Sequence, residues 1–407
     1  MSTSYTTSCT YSSSSPKSKK SPRKKSKSKT TTRTRTLSAN EIARNQHHFE
    51  VWSSHQNLEE ACWDTDIPAD IKAEVEGVLD VNVKWEWEAE GEVGHKELLE
   101  WATQSGFDDP HGLGCAYAAW TRLKEMQSTS SSSRKWTEAD YAANVYSVLR
   151  SPALKSSHQH VQCSLSLPSP SIPPRHSSAE ATRILATQAV VPDCAIFVPA
   201  PLLEPLAPHY KSLARVHRTK STSAAAARTS FRYQSTPCTT LPDSTTTSNS
   251  KNFEFISALF EDKQPNWLHG YRQNRMGCAS VARQLLALGV RSPVWGLVWC
   301  EGRVRVHVDW AEGVAGDVTV YSAMYAKVFD LSHLGDMVKV YNLIRKIDSW
   351  TTDAFVKHVT KGVSKLAAKK GQGFVGWRRA IGAGTSGSVD AASEGKSASR
   401  KGKENRK

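Results

Sequence analysis

The chain has 407 residues, a formal net charge of +14 and 39% hydrophobic residues, and its length predicts one to three domains. Residues 1–40 consist almost entirely of Ser, Thr, Lys and Arg, and the C-terminal end is polar and basic. Neither end can bury enough apolar surface to offset the entropy of ordering. We therefore predict disordered basic tails over 1–40 and 372–407.

Two classes of protein are disfavoured by the same composition. No apolar run reaches transmembrane length, and no apolar stretch of a signal peptide follows the first charges, so neither a membrane nor a secreted protein is expected. The cysteines contain no Cys-x-x-Cys pair, which favours a reducing intracellular compartment and argues against a structural zinc site. They are Cys9, Cys62, Cys115, Cys163, Cys194, Cys238, Cys278 and Cys300.

The charge is distributed unevenly along the chain. Residues 1–40 carry +10, residues 41–130 carry −13, and residues 131–387 carry +14. A basic excess of this size favours a polyanionic partner such as DNA or RNA. The basic run from Lys17 to Lys29 is typical of a nuclear-localisation signal or a nucleic-acid-binding patch, and equally of a solvated tail.

The acidic region, residues 41–127, is predicted to be mainly helical. Helices are expected over 41–56, 68–79, 95–106 and 112–126, and the alternating residues 81–88 predict a short strand. This region contains no catalytic signature and no metal-ligand spacing. We interpret it as an accessory region.

A serine run at 128–133 precedes the next helix. Thr137 or Ser133 is positioned to cap this helix, and Glu138 suits the positive end of its dipole. Residues 151–178 and 211–251 are of low complexity, and we interpret both as insertions. Between them, residues 189–199 form an apolar strand interrupted by Pro192-Asp193, which predicts a bend at that point.

The strand over 253–263 ends in Glu261-Asp262-Lys263. Because strand side chains alternate, Glu261 and Lys263 should project from one face and Asp262 from the other. Asp193 and Glu261 can hold a hard divalent cation together with water, and Lys263 can orient that water or stabilise developing negative charge. The alternative interpretations are a turn-forming acid after proline and a solvated strand end.

Pro192-Asp193 followed by Glu261-Asp262-Lys263 resembles the PD-(D/E)XK signature of the restriction-endonuclease-like superfamily, in the versions found in uncharacterised fungal proteins. The resemblance covers residues 131–350. It implies an α/β fold with a mixed central sheet flanked by helices, a nucleic-acid substrate, and Mg²⁺ or Mn²⁺ as cofactor. It also implies Glu138 as a further metal ligand and Gln273, or secondly Gln284, as a polar residue of the site.

Two main functional hypotheses follow. The first is metal-dependent phosphodiester hydrolysis, with Asp193, Glu261, Lys263 and Gln273 in catalytic roles. The second is a catalytically inactive nuclease fold that serves as a nucleic-acid-binding or protein-interaction module. A scaffold that acts through its basic tails is a third possibility. His269, His307 and His333 have no partner beside them in the sequence and are expected to be structural or surface residues.

The segment 351–371 predicts a helix with two different faces. Lys357, Lys361, Lys365 and Lys369 recur every four residues and form a stripe that suits phosphate contacts, or simply a solvated face. Phe355, Val359, Val363 and Leu366 provide an apolar face for docking. The preceding helix, over 331–347, is predicted to be core.

Overall fold

The computed structural model describes residues 35–81, 94–105, 107–129, 135–171, 178–217, 231–239, 253–314 and 317–378. The basic run from Lys17 to Lys29 and most of the strand predicted over 81–88 lie outside these ranges. The helices and strands below belong to one compact unit that begins at Thr36. Within the described residues, no helix is both long and apolar enough to cross a membrane.

The described strands form a mixed seven-stranded sheet and a small two-stranded sheet. They are β1 (Leu58–Ala61), β2 (His158–Val161), β3 (Leu165–Ser166), β4 (Ala189–Val190), β5 (Cys194–Phe197), β6 (Ile256–Asp262), β7 (Val294–Cys300), β8 (Arg303–Val314) and β9 (Asp317–Asp330). The large sheet has the order β1-β9-β8-β7-β6-β5-β2, and β3 pairs with β4. The pairs β1–β9 and β6–β7 are parallel, whereas the other neighbours in the large sheet are antiparallel.

Helices cover both faces of the large sheet. They are α1 (Ala39–Arg44), α2 (Gln46–His55), α3 (Ala69–Leu79), α4 (His95–Gln104), α5 (Pro110–Thr129), α6 (Glu138–Tyr141), α7 (Ser147–Ala153), α8 (Ala179–Leu185), α9 (Ala200–Leu203), α10 (Ala207–Val216), α11 (Phe231–Gln234), α12 (Trp267–Ala287), α13 (Leu334–Thr352) and α14 (Ala354–Ala368). A π-helical turn, Ala142–Tyr146, joins α6 to α7. The predicted α/β class, with a mixed sheet flanked by helices, is confirmed.

The side chains at the centre of the sheet show which helices cover each face. On one face Asn274 of α12 donates a hydrogen bond to the carbonyl of Leu259 on β6 (3.1 Å). On the other face Tyr146 packs on Trp299 of β7, and Trp350 of α13 packs edge-on against Trp295 (centroids 5.0 and 6.1 Å apart). The sheet core is therefore enclosed between α12 and a layer that includes the π-helical turn and α13.

The segment 151–178, interpreted above as an insertion, contributes β2 to the edge of the large sheet and β3 to the small one. All four residues of β2 are exposed, so the strand lacks the apolar alternation by which a half-buried strand is recognised. The 211–251 segment begins with the end of α10 and contains α11, with Phe231 buried, while residues 218–230 and 240–251 lie outside the described residues.

In its described residues the acidic region is mainly helical, as expected, but the helix predicted over 41–56 is divided into α1 and α2 at Asn45, and the region also supplies a strand of the large sheet. Its strand β1 pairs with β9, and Glu60 on β1 accepts a hydrogen bond from Tyr271 of α12 (2.9 Å). Arg275 of α12 forms an ion pair with the same carboxylate. The region is therefore joined to the sheet by backbone pairing and by side-chain contacts.

The last two helices have the faces predicted from their sequence. The helix α13 buries Leu334, Met337, Val338, Tyr341 and Ile344. On α14, the apolar residues Phe355, Val359, Val363 and Leu366 are buried, and the four lysines of the stripe are exposed.

Candidate functional site

At the C-terminal end of β6, two neighbouring carboxylate side chains project to opposite faces of the sheet. Glu261 is completely buried on the α12 face, whereas Asp262 is buried on the opposite face beside Arg150 of α7. The Arg150 guanidinium binds both Asp262 oxygens, with Nη1 3.0 Å from Oδ2. The alternation predicted for these residues is therefore present, and Asp262 has a different partner from Glu261.

Asp193 reaches the same place through the register of β5 and β6. Cys194 pairs with Phe260, so Asp193 lies beside the end of β6. The backbone N–H of Asp262 donates a hydrogen bond to Asp193 Oδ2 (2.7 Å). The chain changes sheets here, because β4 ends at Val190 in the small sheet and β5 begins at Cys194 in the large one. Pro192 and Asp193 therefore occupy the predicted bend.

Lys263 lies between the carboxylates. Its Nζ is 2.8 Å from Glu261 Oε1, 3.6 Å from Glu138 Oε1 and 3.9 Å from Asp193 Oδ2. Glu138 occupies the first turn of α6, which Thr137 caps by accepting a hydrogen bond from the Asp140 N–H. The structure thus brings Asp193 and Glu138 together with Glu261 and Lys263, from which both are distant in the sequence.

Burial and charge shift the pKa values of this cluster. Burial raises the pKa of Glu261 well above its ordinary value, because Lys263 offsets the loss of hydration only in part. Burial likewise raises the pKa of Asp193, and Lys263 again opposes the shift. Burial disfavours the charged form of Lys263, but the nearby carboxylates outweigh it and raise the lysine pKa.

The donor set fits a hard cation in chemistry. Glu261 Oε2 is buried and has no hydrogen-bond partner, and a buried carboxylate oxygen left in this way is unfavourable unless something binds it. Asp193 is part-exposed and provides a second carboxylate. Lys263 lies between the acids Asp193, Glu261 and Glu138, and their carboxylate oxygens are too far apart to form a set of three ligand atoms that all lie within 4.8 Å of one another. Among the described residues that spacing is met by Cys278, His307 and Asp309.

Gln273 lies beside the segment that carries Asp193. Its Nε2 donates to the carbonyl of Val191 (3.2 Å), and its Oε1 is buried without a hydrogen-bond partner. Gln273 therefore holds the backbone two residues before Asp193. Gln284 is elsewhere, near the other end of α12, where it donates to the carbonyls of Ser235 and Glu254.

The first turn of α12 restricts the stem of Lys263. A Cβ added at Gly270 would lie 2.9 Å from Lys263 Cγ and 2.9 Å from Val298 Cγ1, so only glycine allows the helix to pack this closely. The Lys263 backbone is also fixed, since its N–H donates to the carbonyl of Trp299 on β7 (2.8 Å). Neither contact could be inferred from the sequence alone.

The second buried cluster, around His307, was not anticipated. His307 Nδ1 is 3.1 Å from Asp309 Oδ2, and its Nε2 is 2.9 Å from Asn274 Oδ1. Arg275 Nε lies 3.9 Å from Asp309 Oδ1. Both imidazole nitrogens of His307 have polar partners, and the guanidinium of Arg275 already provides a positive charge beside Asp309. Because these contacts join residues of α12 to residues of β8, we interpret the cluster as one that holds α12 on β8. The signal available in the sequence was His-x-Asp, which places both side chains on one face of a strand.

His269 lies near the candidate site, in the first turn of α12. Burial lowers its pKa, and the positive charges of Arg272, Arg44 and Lys263 lower it further. The surroundings of His269 are therefore cationic.

Comparison with protein-family models, with curated proteins and with solved structures found no match for this chain. Its function is therefore inferred from the geometry and the chemistry of the residues around Lys263.

Proposed function

We propose that this protein is a metal-dependent nuclease that hydrolyses phosphodiester bonds in DNA or RNA, with a PD-(D/E)XK domain over residues 131–350. One observation carries the proposal. Asp193, Glu261 and Glu138 converge on the ammonium group of Lys263 within 4.0 Å, at the end of a rigid buried strand. Three acids gathered around one lysine, one of them fully buried, are costly for a fold and are characteristic of functional sites.

Asp193 and Glu261 would hold the cation, and Glu138 would be the additional ligand. When bound, Mg²⁺ or Mn²⁺ would lower the pKa of a coordinated water and offset the negative charge of the phosphodiester. The backbone of β6 and the hydrogen bond that the Asp262 N–H donates to Asp193 hold the carboxylates of Asp193 and Glu261 beside each other. Gln273 would act as a positioning residue through its bond to Val191.

Lys263 would orient the attacking water and stabilise negative charge as it develops on the phosphate. The raised pKa of Lys263 keeps it protonated at neutral pH. The packing of Gly270 against its stem restricts the positions that the ammonium can take. Both features favour a fixed positive charge at the site.

The order of the elements supports the same proposal. The helical segment from Glu138 to Ala153 is followed by β2, β5, β6, α12 and β7, with β3, α8 and β4 interposed before β5 and with α9, α10 and α11 interposed before β6. In the sheet, β2, β5, β6 and β7 are successive neighbours. Without the interposed elements, this is a helix, strands that carry the acids, a helix and a further strand, which supports a restriction-endonuclease-like core.

The test is a cleavage assay on the full chain with labelled single-stranded DNA, duplex DNA and RNA. We expect cleavage with Mg²⁺ or Mn²⁺, loss of cleavage with EDTA, and loss in Lys263→Ala. Lys96→Ala, which removes an exposed lysine from α4, is the matched control and should cleave as the wild type does. Equal cleavage by wild type and Lys263→Ala would disprove the proposed role of the lysine.

Metal binding is measured independently of cleavage. Mn²⁺ at about 100 times its dissociation constant should stabilise the wild type by about 2.7 kcal/mol, because it binds only the folded state. The stabilisation should be absent from an Asp193→Asn, Glu261→Gln double variant. If Mn²⁺ stabilised both proteins equally, the site would not be a metal site.

The second candidate function is nucleic-acid binding without cleavage, and the exposed lysine stripe of α14 favours it. Gly362 of α14 lies against Gly289, just beyond the end of α12 that is remote from Lys263. The 21 residues of α12 span about 30 Å, so the stripe is well separated from the acids. An inactive binding module would retain nucleic-acid affinity after Lys263→Ala and show no metal-dependent cleavage.

The salt dependence of binding tests the stripe. Replacing Lys357, Lys361, Lys365 and Lys369 with Gln should lower the slope of log affinity against log salt by about 0.9 for each phosphate of duplex DNA that the variant no longer neutralises. Replacing Lys96, an exposed lysine on α4, serves as the control. An unchanged slope in the fourfold variant would show that the stripe is only a solvated face.

A further inference from the structure

A cavity of about 400 Å³ lies at the end of α12 that is remote from Lys263. It is bounded by α12, by the hairpin of β8 and β9, by the loop after β3 and by the segment after α14. Most of its described lining is apolar or glycine, and Arg283 is the one charged side chain among those lining residues. The main apolar residues are Leu286, Ala287, Val314, Val318, Val375 and Trp377.

The guanidinium group of Arg283 is buried and is bound only by neutral groups. The residue is 7% exposed. Its nitrogens donate to the carbonyls of Gln56, Ser169 and Val318 and to the Ser171 hydroxyl, and Nε has no hydrogen-bond partner. Among the described residues, no carboxylate forms an ion pair with it.

Two other buried arginines are neutralised by acids, whereas Arg378 is held by backbone carbonyls as Arg283 is. Arg150 faces Asp262, and Arg275 faces Glu60 and Asp309. At Arg283, carbonyl dipoles satisfy hydrogen bonds but leave a full positive charge beside an apolar space. Burial lowers the pKa of Arg283 to about 10, so the group remains charged at neutral pH. A buried charge without a counter-ion is unfavourable, and an anion in the cavity would remove that penalty.

We propose that this cavity binds a small organic carboxylate with an apolar body, whose carboxylate pairs with Arg283. The volume lies in the range of small-molecule pockets, which are mostly apolar and contain a few polar groups that fix orientation. Planar guanidinium groups suit the two oxygens of a carboxylate. The exposed valines Val314 and Val375, at 76% and 42%, give the cavity an apolar margin that suits the body of such a ligand.

The proposal is independent of the nuclease hypothesis. Decanoate is the probe, and decanol is its neutral counterpart of the same chain length. With the full-length protein, isothermal titration calorimetry should detect decanoate binding at least tenfold tighter than decanol binding. Arg283→Gln should remove this preference, while Lys263→Ala should bind decanoate as the wild type does, whether or not the protein cleaves nucleic acid.

Arg283 binds three other chain segments, so its replacement removes contacts that support the fold. If Arg283→Gln does not fold, a second variant tests the proposal. Ala287→Phe fills the cavity and keeps Arg283 with its carbonyl partners, and it should weaken decanoate binding at least tenfold. Equal binding of decanoate and decanol would overturn the proposal, as would undiminished binding in Ala287→Phe. Inorganic phosphate that bound as tightly as decanoate would also overturn it, because the site would then be a simple anion site.

Discussion

At the end of β6, two neighbouring carboxylates lie on opposite faces of the sheet and have different partners. On one face, Asp262 is held by both arms of the Arg150 guanidinium, which itself lies 4.2 Å from the centroid of the Trp299 ring. On the other face, Glu261 has a lysine ammonium 2.8 Å from one oxygen and no hydrogen-bond partner at the second. Two adjacent residues of β6 therefore differ: both oxygens of Asp262 are bound, whereas one oxygen of Glu261 has no hydrogen-bond partner.

The partners of a buried acid distinguish a structural role from a functional one. A carboxylate whose oxygens are both bound by a buried guanidinium contributes to the stability of the folded state. A buried carboxylate with an unbound oxygen lowers that stability, and such a position is kept where it serves a function. We therefore propose a structural role for Asp262 and a functional one for Glu261, and four predictions test this contrast.

The largest effect is expected on the functional face. Glu261→Gln keeps the shape of the side chain but removes the charge that would hold the cation, so cleavage should fall by about 10³-fold or more, several kcal/mol of transition-state stabilisation. Circular dichroism should show that the fold is retained. A variant that cleaved within a few-fold of the wild type would contradict the functional assignment.

The largest effect on stability is expected on the structural face. Arg150→Met leaves Asp262 buried without its partner and should lower the free energy of unfolding by about 3–5 kcal/mol, measured by urea denaturation. The double variant Arg150→Met, Asp262→Leu should recover much of this loss, because neither charge is then buried. If the single variant were as stable as the wild type, the contrast between the two faces would not hold.

The pH dependence of stability should distinguish Glu261 from an ordinary paired acid. Its folded-state pKa is raised above 4.5, so its contribution to stability is complete below that pH and is lost as pH rises through the folded-state value. Glu261→Gln should therefore be more stable than the wild type at pH 8, by less than the loss in Arg150→Met. The difference should narrow towards pH 4.5. A constant difference between urea titrations at the two pH values would contradict the raised pKa.

The smallest effect concerns the packing that supports Lys263. Gly270→Ala introduces a Cβ 2.9 Å from the lysine stem and should cost about 1–3 kcal/mol of stability by overpacking, with a reduction in cleavage of about tenfold. Gly77→Ala is the matched control, since no atom lies within 4 Å of its added Cβ and its position in α3 favours alanine. Equal behaviour of the two variants would show that Gly270 does not constrain the site.

The sequence allowed prediction of local features of the fold and the candidate site. Alternation along a strand was sufficient to separate Glu261 and Lys263 from Asp262. The four-residue spacing of lysines was sufficient to separate the faces of α14. The proximity of Asp193 to Glu261 depended on the resemblance, because 67 residues lie between them and no local pattern predicts strand pairing over that distance.

Long-range partners were not predictable. Arg150 is 112 residues from Asp262, and an arginine late in a short helix gives no sign of which acid it will meet. The exposed strand β2 has no apolar alternation, so its composition indicated a loop. The four residues of β1 were assigned to a helical region because a short edge strand is defined by its neighbour, β9, rather than by its own residues.

The parallel pairing of β1 with β9 determines how the chain can be shortened. A fragment that began at residue 131 would lack β1 and leave the backbone groups of β9 opposite Leu58–Ala61 without their partners. Unpaired sheet edges promote association between molecules. A fragment cut where the charge changes from acidic to basic would therefore tend to aggregate, and a fragment for crystallisation should retain β1.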